Sequence, residues 1–118
     1  MRKLIIPKIH LQNIDEEEAR RDFDSYFDAH FDDLIPYFSF IDHFNVIAGA
    51  DPVFDDENQD GYYIYAFISP TNFLDDAIVQ TKDYCFHTYT QYKRAVKEMY
   101  KELINLYKEW VNGLYEEK

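Results

Sequence analysis

The sequence has no lysine and no arginine in residues 22–81, the central half of the chain. We call these residues the cation-free stretch. It contains 13 acidic side chains: Asp22, Asp24, Asp28, Asp32, Asp33, Asp42, Asp51, Asp55, Asp56, Glu57, Asp60, Asp75 and Asp76. The remaining residues hold 10 acids and all 12 bases, so the formal net charge of −11 comes from this one stretch. Because a surface that only keeps a protein in solution can mix both signs of charge, this pattern indicates that the negative field itself has a function.

Cysteine and long apolar runs are also scarce. The single cysteine, Cys85, cannot form a disulfide within the chain, which favours a reducing compartment. The apolar residues at the N-terminus are interrupted by Pro7, Lys8 and His10, so this segment is too short for a secretory signal or a membrane span. We therefore expect a cytoplasmic protein that does not contact membranes.

The common catalytic motifs are missing from the sequence. It contains no phosphate-binding loop, no dinucleotide-binding fingerprint and no nucleophile elbow. The four histidines share no metal-ligand spacing. Residues 56–61 resemble the start of a calcium-binding EF-hand loop, but Phe67 stands where the bidentate glutamate belongs, so we prefer a polar hairpin turn. We predict a protein that is not an enzyme and has no cofactor.

Composition indicates a folded chain despite its charge. The 118 residues are 47% hydrophobic and include 11 Tyr and 10 Phe. Disordered acidic segments are poor in aromatic residues, so this chain can form a core. Its length predicts a single domain over residues 1–118.

Two segments have the periodicity of amphipathic helices. In residues 15–35, Asp15 and Glu18 form a pattern like a capping box, and Pro36 follows the helix. Its apolar face comprises Phe23, Tyr26, Phe27, His30, Phe31 and Leu34. The second helix begins at Thr88 or Thr90 and ends near residue 114, with Gly113 as a stop signal. Its apolar stripe comprises Tyr92, Val96, Met99, Tyr100, Leu103, Ile104, Tyr107, Trp110, Val111 and Leu114.

Most of the remaining segments are predicted to form strands. Residues 2–11 form an edge strand because Pro7 lacks a backbone donor, and residues 44–50 form another that ends at Gly49 and Pro52. A hairpin follows, with Val53 and Phe54 in its first strand, residues 55–61 as its connection and residues 62–68 as its second strand. Within the connection, Asp60 and Gly61 suit a turn that needs a positive φ. Residues 37–44 fit either a second short helix or an irregular segment. Residues 72–80 fit a short helix, or residues 77–80 begin another strand. The predicted fold is α+β, with a small antiparallel sheet packed against two long amphipathic helices.

Asp24, Asp28 and Asp32 recur every four residues in the first predicted helix. One helical turn separates neighbours, so their carboxylates lie roughly 6 Å apart, a spacing similar to that of successive phosphates on a nucleic-acid strand. Like charges at this spacing destabilise a helix by a few tenths of a kcal/mol per pair. A solvated helix face is the alternative interpretation, but such faces normally mix signs, as the last helix does with its lysines and glutamates.

This charge pattern, over residues 22–76, resembles the class of small acidic DNA-mimic proteins. The class has no common fold or motif, and its members occupy DNA-binding proteins in place of DNA. The resemblance implies a basic DNA-binding protein as partner and no direct contact with nucleic acid, whose phosphates the chain repels. Class membership favours a histone-like nucleoid protein such as HU, and the chain would be a monomer or weak dimer. The candidate partner-binding residues are Asp22, Asp24, Asp28, Asp32, Asp33, Asp55, Asp56, Glu57 and Asp60.

Two other functions fit the same charge. The protein could inhibit a CRISPR or restriction nuclease, or it could be an immunity protein that neutralises a cationic nuclease toxin. An immunity protein would add a shape-complementary, salt-tolerant interface with tyrosine hot spots.

Overall fold

The computed structural model of the chain describes residues 5–39, 41 and 43–116, and the predicted α+β class is confirmed. In chain order the elements are β1 (Ile9–His10), α1 (Glu16–Arg21), α2 (Phe23–Ala29), α3 (Phe31–Leu34), β2 (Tyr37–Phe38), β3 (Asn45–Asp55), β4 (Asn58–Ser69), a 3₁₀ turn (Leu74–Asp76), β5 (Val79–Gln80), β6 (Tyr84–Phe86) and α4 (Tyr89–Glu116). Within the described ranges, no helix is long and apolar enough to cross a lipid bilayer.

The main sheet is built around β4 and is antiparallel throughout. β3 pairs with β4 along one side, while β5 and β6 pair with different parts of its other side. Because side chains alternate between the faces of a strand, β4 has two distinct faces. Tyr62, Ile64, Ala66 and Ile68 are buried in the main core. Tyr63, Tyr65 and Phe67 form a row of neighbouring rings on the opposite face.

The long C-terminal helix is confirmed. The Thr88 hydroxyl caps α4 by accepting a hydrogen bond from the backbone N–H of Gln91 at 3.2 Å. Tyr92, Met99 and Leu103 of the predicted stripe are fully buried, and the stripe covers the core face of the sheet. α4 ends at Glu116, two residues beyond the predicted end near residue 114, so Gly113 lies within the last turn of the helix. The side chain of Leu114, also assigned to the stripe, lies outside the described part.

The prediction of one long helix over residues 15–35 is wrong. The segment forms three short helices, with breaks at Asp22 and His30. Asp15 does cap α1, as predicted. Asp22 then caps α2 by accepting from the backbone N–H of Ser25 at 3.4 Å, and a side chain that caps a new helix competes with continuation of the previous one. Four residues of the predicted apolar face are buried: Phe23, Tyr26, Phe27 and Leu34.

The hairpin is present, and its turn lies within the predicted connection of residues 55–61, although not at Asp60 and Gly61. β3 does not end at Gly49 or Pro52, and the turn lies at Asp56 and Glu57, between the paired residues Asp55 and Asn58. Gly61 does have a positive φ of 78°. It lies inside β4, where the register shifts between Pro52 and Phe54 and the strand therefore contains a bulge. A Cβ at Gly61 would lie 2.6 Å from the carbonyl oxygen of Phe86, so a long-range contact also restricts this position to glycine.

The remaining segments are short. The predicted N-terminal strand is reduced to β1, paired with β2, and residues 2–4 of that prediction lie outside the described part. Residues 37–44 contribute β2 and an isolated bridge between Ile41 and Phe44. Residues 72–80 contain both alternatives that the sequence left open, since the 3₁₀ turn is followed by β5.

Candidate functional site

The acidic side chains of the cation-free stretch are displayed at the surface. The structure describes twelve of the 13, and eleven of these are exposed while Asp33 is half-buried. Asp42 lies outside the described residues. The described ion pairs of lysine and arginine are Arg20–Glu16, Arg21–Glu17 and Lys93–Glu16. In the part of the chain that the structure describes, no lysine or arginine forms an ion pair with an acid of the cation-free stretch.

Asp24 and Asp28 project from α2 beside the first core residue of β4. The Tyr62 hydroxyl donates a hydrogen bond to Asp28 Oδ1 at 2.8 Å. Burial raises the pKa of Tyr62, a hydrogen bond to Gln59 opposes this, and the carboxylates of Asp28 and Asp24 raise it further. The two aspartates therefore form one negatively charged pair against the sheet, which we call the α2 pair.

The predicted regular row of three aspartates is wrong. Asp32 lies in α3, beyond the break at His30, so it does not continue the helical line of Asp24 and Asp28. Only the α2 pair keeps the spacing of one helical turn. Asp32 instead lines a groove next to β3.

Besides Asp28, three of the predicted partner-binding residues have local contacts. Asp22 caps α2 and accepts a second bond from the Ser25 hydroxyl at 2.9 Å. Asp33 Oδ2 lies 3.6 Å from Nδ1 of His30. Asp60 Oδ1 lies 2.8 Å from Nε2 of His87, where the hairpin meets β6. These carboxylates organise the structure as well as adding negative charge.

The tip of the β3–β4 hairpin carries the other predicted group, Asp55, Asp56 and Glu57, which we call the tip acids. All three are exposed. Within the described residues, no hydrogen bond or ion pair involves their side chains. Phe54 precedes them and is 63% exposed. The tip therefore combines uncompensated negative charge with an accessible aromatic ring.

Asp75 and Asp76 lie at the other end of the sheet, in the turn that follows Ser69. The Thr71 hydroxyl donates to Asp76 Oδ2 at 2.8 Å. The cation-free stretch is thus acidic at both ends of the sheet, and these two residues are separated from the α2 pair and the tip acids.

Sequence reasoning missed a groove of about 720 Å³ between β3 and the α3–β2 segment, which we call the β3 groove. Six consecutive residues of β3, 46–51, line one side, and Phe31, Ile35 and Tyr37 line the other. Asp32, Asp51 and Tyr65 complete its polar lining. Phe31, predicted as a core residue, is 39% exposed here.

One signal in the sequence could have indicated this groove. Residues 62–68 are apolar or aromatic at every position, rather than at alternate positions, so the face of β4 opposite the core could not be purely solvated. The ring of Tyr65 lies across Gly49 of β3, where a Cβ would meet the tyrosine hydroxyl at 2.7 Å. Burial raises the pKa of Tyr65, and the carboxylates of Asp51 and Asp83 add to the shift.

The predicted calcium-like segment forms the hairpin turn and the strand that follows it. Among the residues described, no group of three or more His, Cys, Asp or Glu side chains is arranged to hold a metal ion. Comparison with known proteins found no match to this chain among family models, curated proteins or solved structures.

Proposed function

We propose that this protein binds a basic DNA-binding protein and competes with DNA for its cationic surface. The observation that supports the proposal most directly is the separation of charge within the chain. Glu16 and Glu17 have cationic partners, whereas no described acid of the cation-free stretch is paired with lysine or arginine. A surface of one sign that is not neutralised internally attracts a partner of the opposite sign and increases its association rate.

Two groups are the proposed contact surfaces. The α2 pair places two carboxylates about one helical turn apart, a spacing that a cationic groove built for phosphates can accept. The tip acids extend the negative surface to the end of the hairpin. Of possible partners we favour a histone-like nucleoid protein such as HU, on the basis of the resemblance to the DNA-mimic class.

Competition with DNA tests this proposal. Labelled duplex DNA is bound to purified HU, and the protein is titrated while fluorescence anisotropy reports the bound DNA. We expect the protein to displace the DNA at low salt. The displacement should weaken steeply as salt rises, because binding that depends on ion pairing with many cationic side chains is salt-dependent.

The variants Asp24→Asn/Asp28→Asn and Asp75→Asn/Asp76→Asn form a matched pair. Each removes two negative charges, and asparagine retains the oxygen that accepts the bonds from Tyr62 and Thr71. We expect the first variant to displace DNA poorly and the second to act like the natural sequence. Equal losses would show that net charge, rather than the α2 pair, determines binding. Failure of the unmodified protein to displace DNA from HU would refute HU as the partner.

Inhibition of a cationic nuclease, either a CRISPR or restriction enzyme or a toxin, is the alternative. The exposed rings of Phe54 and Tyr37, 63% and 51% accessible, favour it, because aromatic anchors stabilise shape-complementary interfaces. Such an interface would tolerate salt better than DNA mimicry would. This alternative would replace the first proposal if the protein formed a complex with a nuclease that persists at high salt and did not displace DNA from HU.

A further inference from the structure

The β3 groove runs beside a strand edge that is not paired. In the described part of the chain, β3 pairs only with β4, although it is 11 residues long. β2 lies near β3 without pairing with it, so backbone donors and acceptors on this edge of β3 can pair with another strand.

The pairing of β4 identifies which backbone groups face the groove. The backbone N–H groups of Ile78 and Thr81 donate to the carbonyls of Ile68 and Ala66, so the backbone groups of these β4 residues point away from β3. In an antiparallel ladder, the residues opposite them then point their own groups away from β4. Val46, Ala48 and Ala50 lie opposite Ile68, Ala66 and Ile64. Their N–H and C=O groups therefore face the groove, and no hydrogen bond to them is found within the described residues.

We propose that the β3 groove binds an extended cationic segment of the partner protein as an additional antiparallel strand. Strand addition of this kind uses main-chain hydrogen bonds for affinity and alternate side chains for specificity. This inference rests on the proposed function in one respect: the segment is taken to belong to the same basic partner.

The two faces of the added strand would meet different surroundings. Residues paired with Val46, Ala48 and Ala50 would point to the core side of the sheet, where Ile35 and Phe38 line the groove. The residues between them would lie on the same face as Asp51 and Tyr65. The preferred segment therefore alternates apolar and basic side chains.

Charge argues for this occupant and against a second copy of the chain. Asp32 and Asp51 line the groove, and none of the described residues that line it is a lysine or an arginine. Pairing of two β3 edges would bring together two chains that each have a net charge of −11. Like charges directly opposite each other destabilise a pair of strands.

Short peptides of alternating lysine and valine provide the probe. The valines of the bound peptide would pair with β3, so N-methylation of the valines removes the donors that face the strand. N-methylation of the lysines removes the same number of donors from the opposite edge and leaves the charge unchanged. We expect valine methylation to weaken binding by about tenfold or more, since up to three hydrogen bonds are lost, and lysine methylation to have little effect. Equal effects of the two modifications, or no binding of the unmodified peptide, would overturn the proposal.

Variants and hydrogen exchange locate the binding site. Peptide binding should slow amide exchange at Val46, Ala48 and Ala50, and Asp51→Asn should weaken binding severalfold while Asp75→Asn does not. Protection elsewhere, or a stable dimer in which β3 is already paired, would contradict the inference. Because DNA displacement from HU is measured separately, peptide binding can fail while DNA mimicry holds, and the reverse.

Discussion

The hydroxyl of Tyr62 donates a hydrogen bond to Asp28 over 2.8 Å, joining the central strand β4 to helix α2. Phe27 lies against the same tyrosine, with ring centroids 4.1 Å apart. The contact places a carboxylate of the proposed binding surface directly over a core residue that is 3% exposed. The position of the α2 pair is therefore determined by packing of the core.

Removal of this hydroxyl should destabilise the fold. We expect Tyr62→Phe to lower the free energy of unfolding by about 1–2 kcal/mol, because Asp28 loses a charge-assisted bond. Asp28→Asn should cost less, since the amide oxygen can still accept from Tyr62. Urea denaturation measures both variants, and a larger loss for Asp28→Asn would contradict the assignment of Asp28 as a simple acceptor.

Two glycines should respond oppositely to replacement by alanine. Gly61→Ala should lower the free energy of unfolding by more than about 1 kcal/mol, because φ is 78° and the new Cβ would meet the Phe86 carbonyl. Gly113→Ala should raise it by about 0.5–1 kcal/mol, since this residue is helical and a Cβ there has nothing within 4 Å. Thermal or urea unfolding compares the two, and a Gly61→Ala variant that is as stable as the natural protein would show that the bulge is not strained by a side chain.

The same glycine shows how far the sequence alone could predict the fold. The Asp60-Gly61 pair correctly indicated a positive φ, but positive φ serves both turns and bulges. Whether Gly61 lies in the turn or in a bulge depends on its close approach to the Phe86 carbonyl, a contact between residues far apart in sequence. The regular stripe of α4 needed no such information, so its position could be predicted from local periodicity.

The helix breaks and the β3 groove were harder to predict, because the local sequence pattern does not clearly indicate either of them. The apolar spacing from Phe23 to Leu34 continues across the breaks, and the capping signal of Asp22 before Ser25 was hidden within it. The nine candidate partner-binding residues share a negative charge, which the sequence shows directly. The groove depends on what packs beside the outer edge of β3, and no local pattern specifies that.

Alkaline pH should destabilise the protein through its tyrosines. Burial and the hydrogen bond to Glu102 raise the pKa of Tyr84 from 10.0 to about 12. The folded state therefore binds this proton more tightly than the unfolded state does, and the resulting stability is complete below pH 10.0 and is lost as pH rises towards about 12. Burial also raises the pKa of Tyr62, Tyr63 and Tyr65, which act in the same direction.

Urea denaturation at increasing pH, followed by circular dichroism, measures this effect. Tyr84→Phe should lose less stability than the natural sequence between pH 10.0 and about 12. Identical alkaline profiles for the natural protein and Tyr84→Phe would show that this tyrosine is not linked to folding.

Neutralising the tip acids should stabilise the fold while weakening partner binding. Asp55, Asp56 and Glu57 are consecutive and exposed, so they repel one another. In the variant Asp55→Asn/Asp56→Asn/Glu57→Gln we expect a higher melting temperature at low salt. By analogy with like-charge pairs on helices, each pair removed should raise the free energy of unfolding by a few tenths of a kcal/mol. Asn at position 56 also suits its φ of 57°.

Salt distinguishes this repulsion from other effects of the substitutions. Added salt should raise the melting temperature of the natural protein more than that of the variant, because salt screens the repulsion between the tip acids, which the variant lacks. The same variant should displace DNA from HU less well. A variant that melts lower than the natural protein at low salt would mean that the tip acids stabilise the turn, and the single-signed tip would then need a structural explanation rather than a functional one.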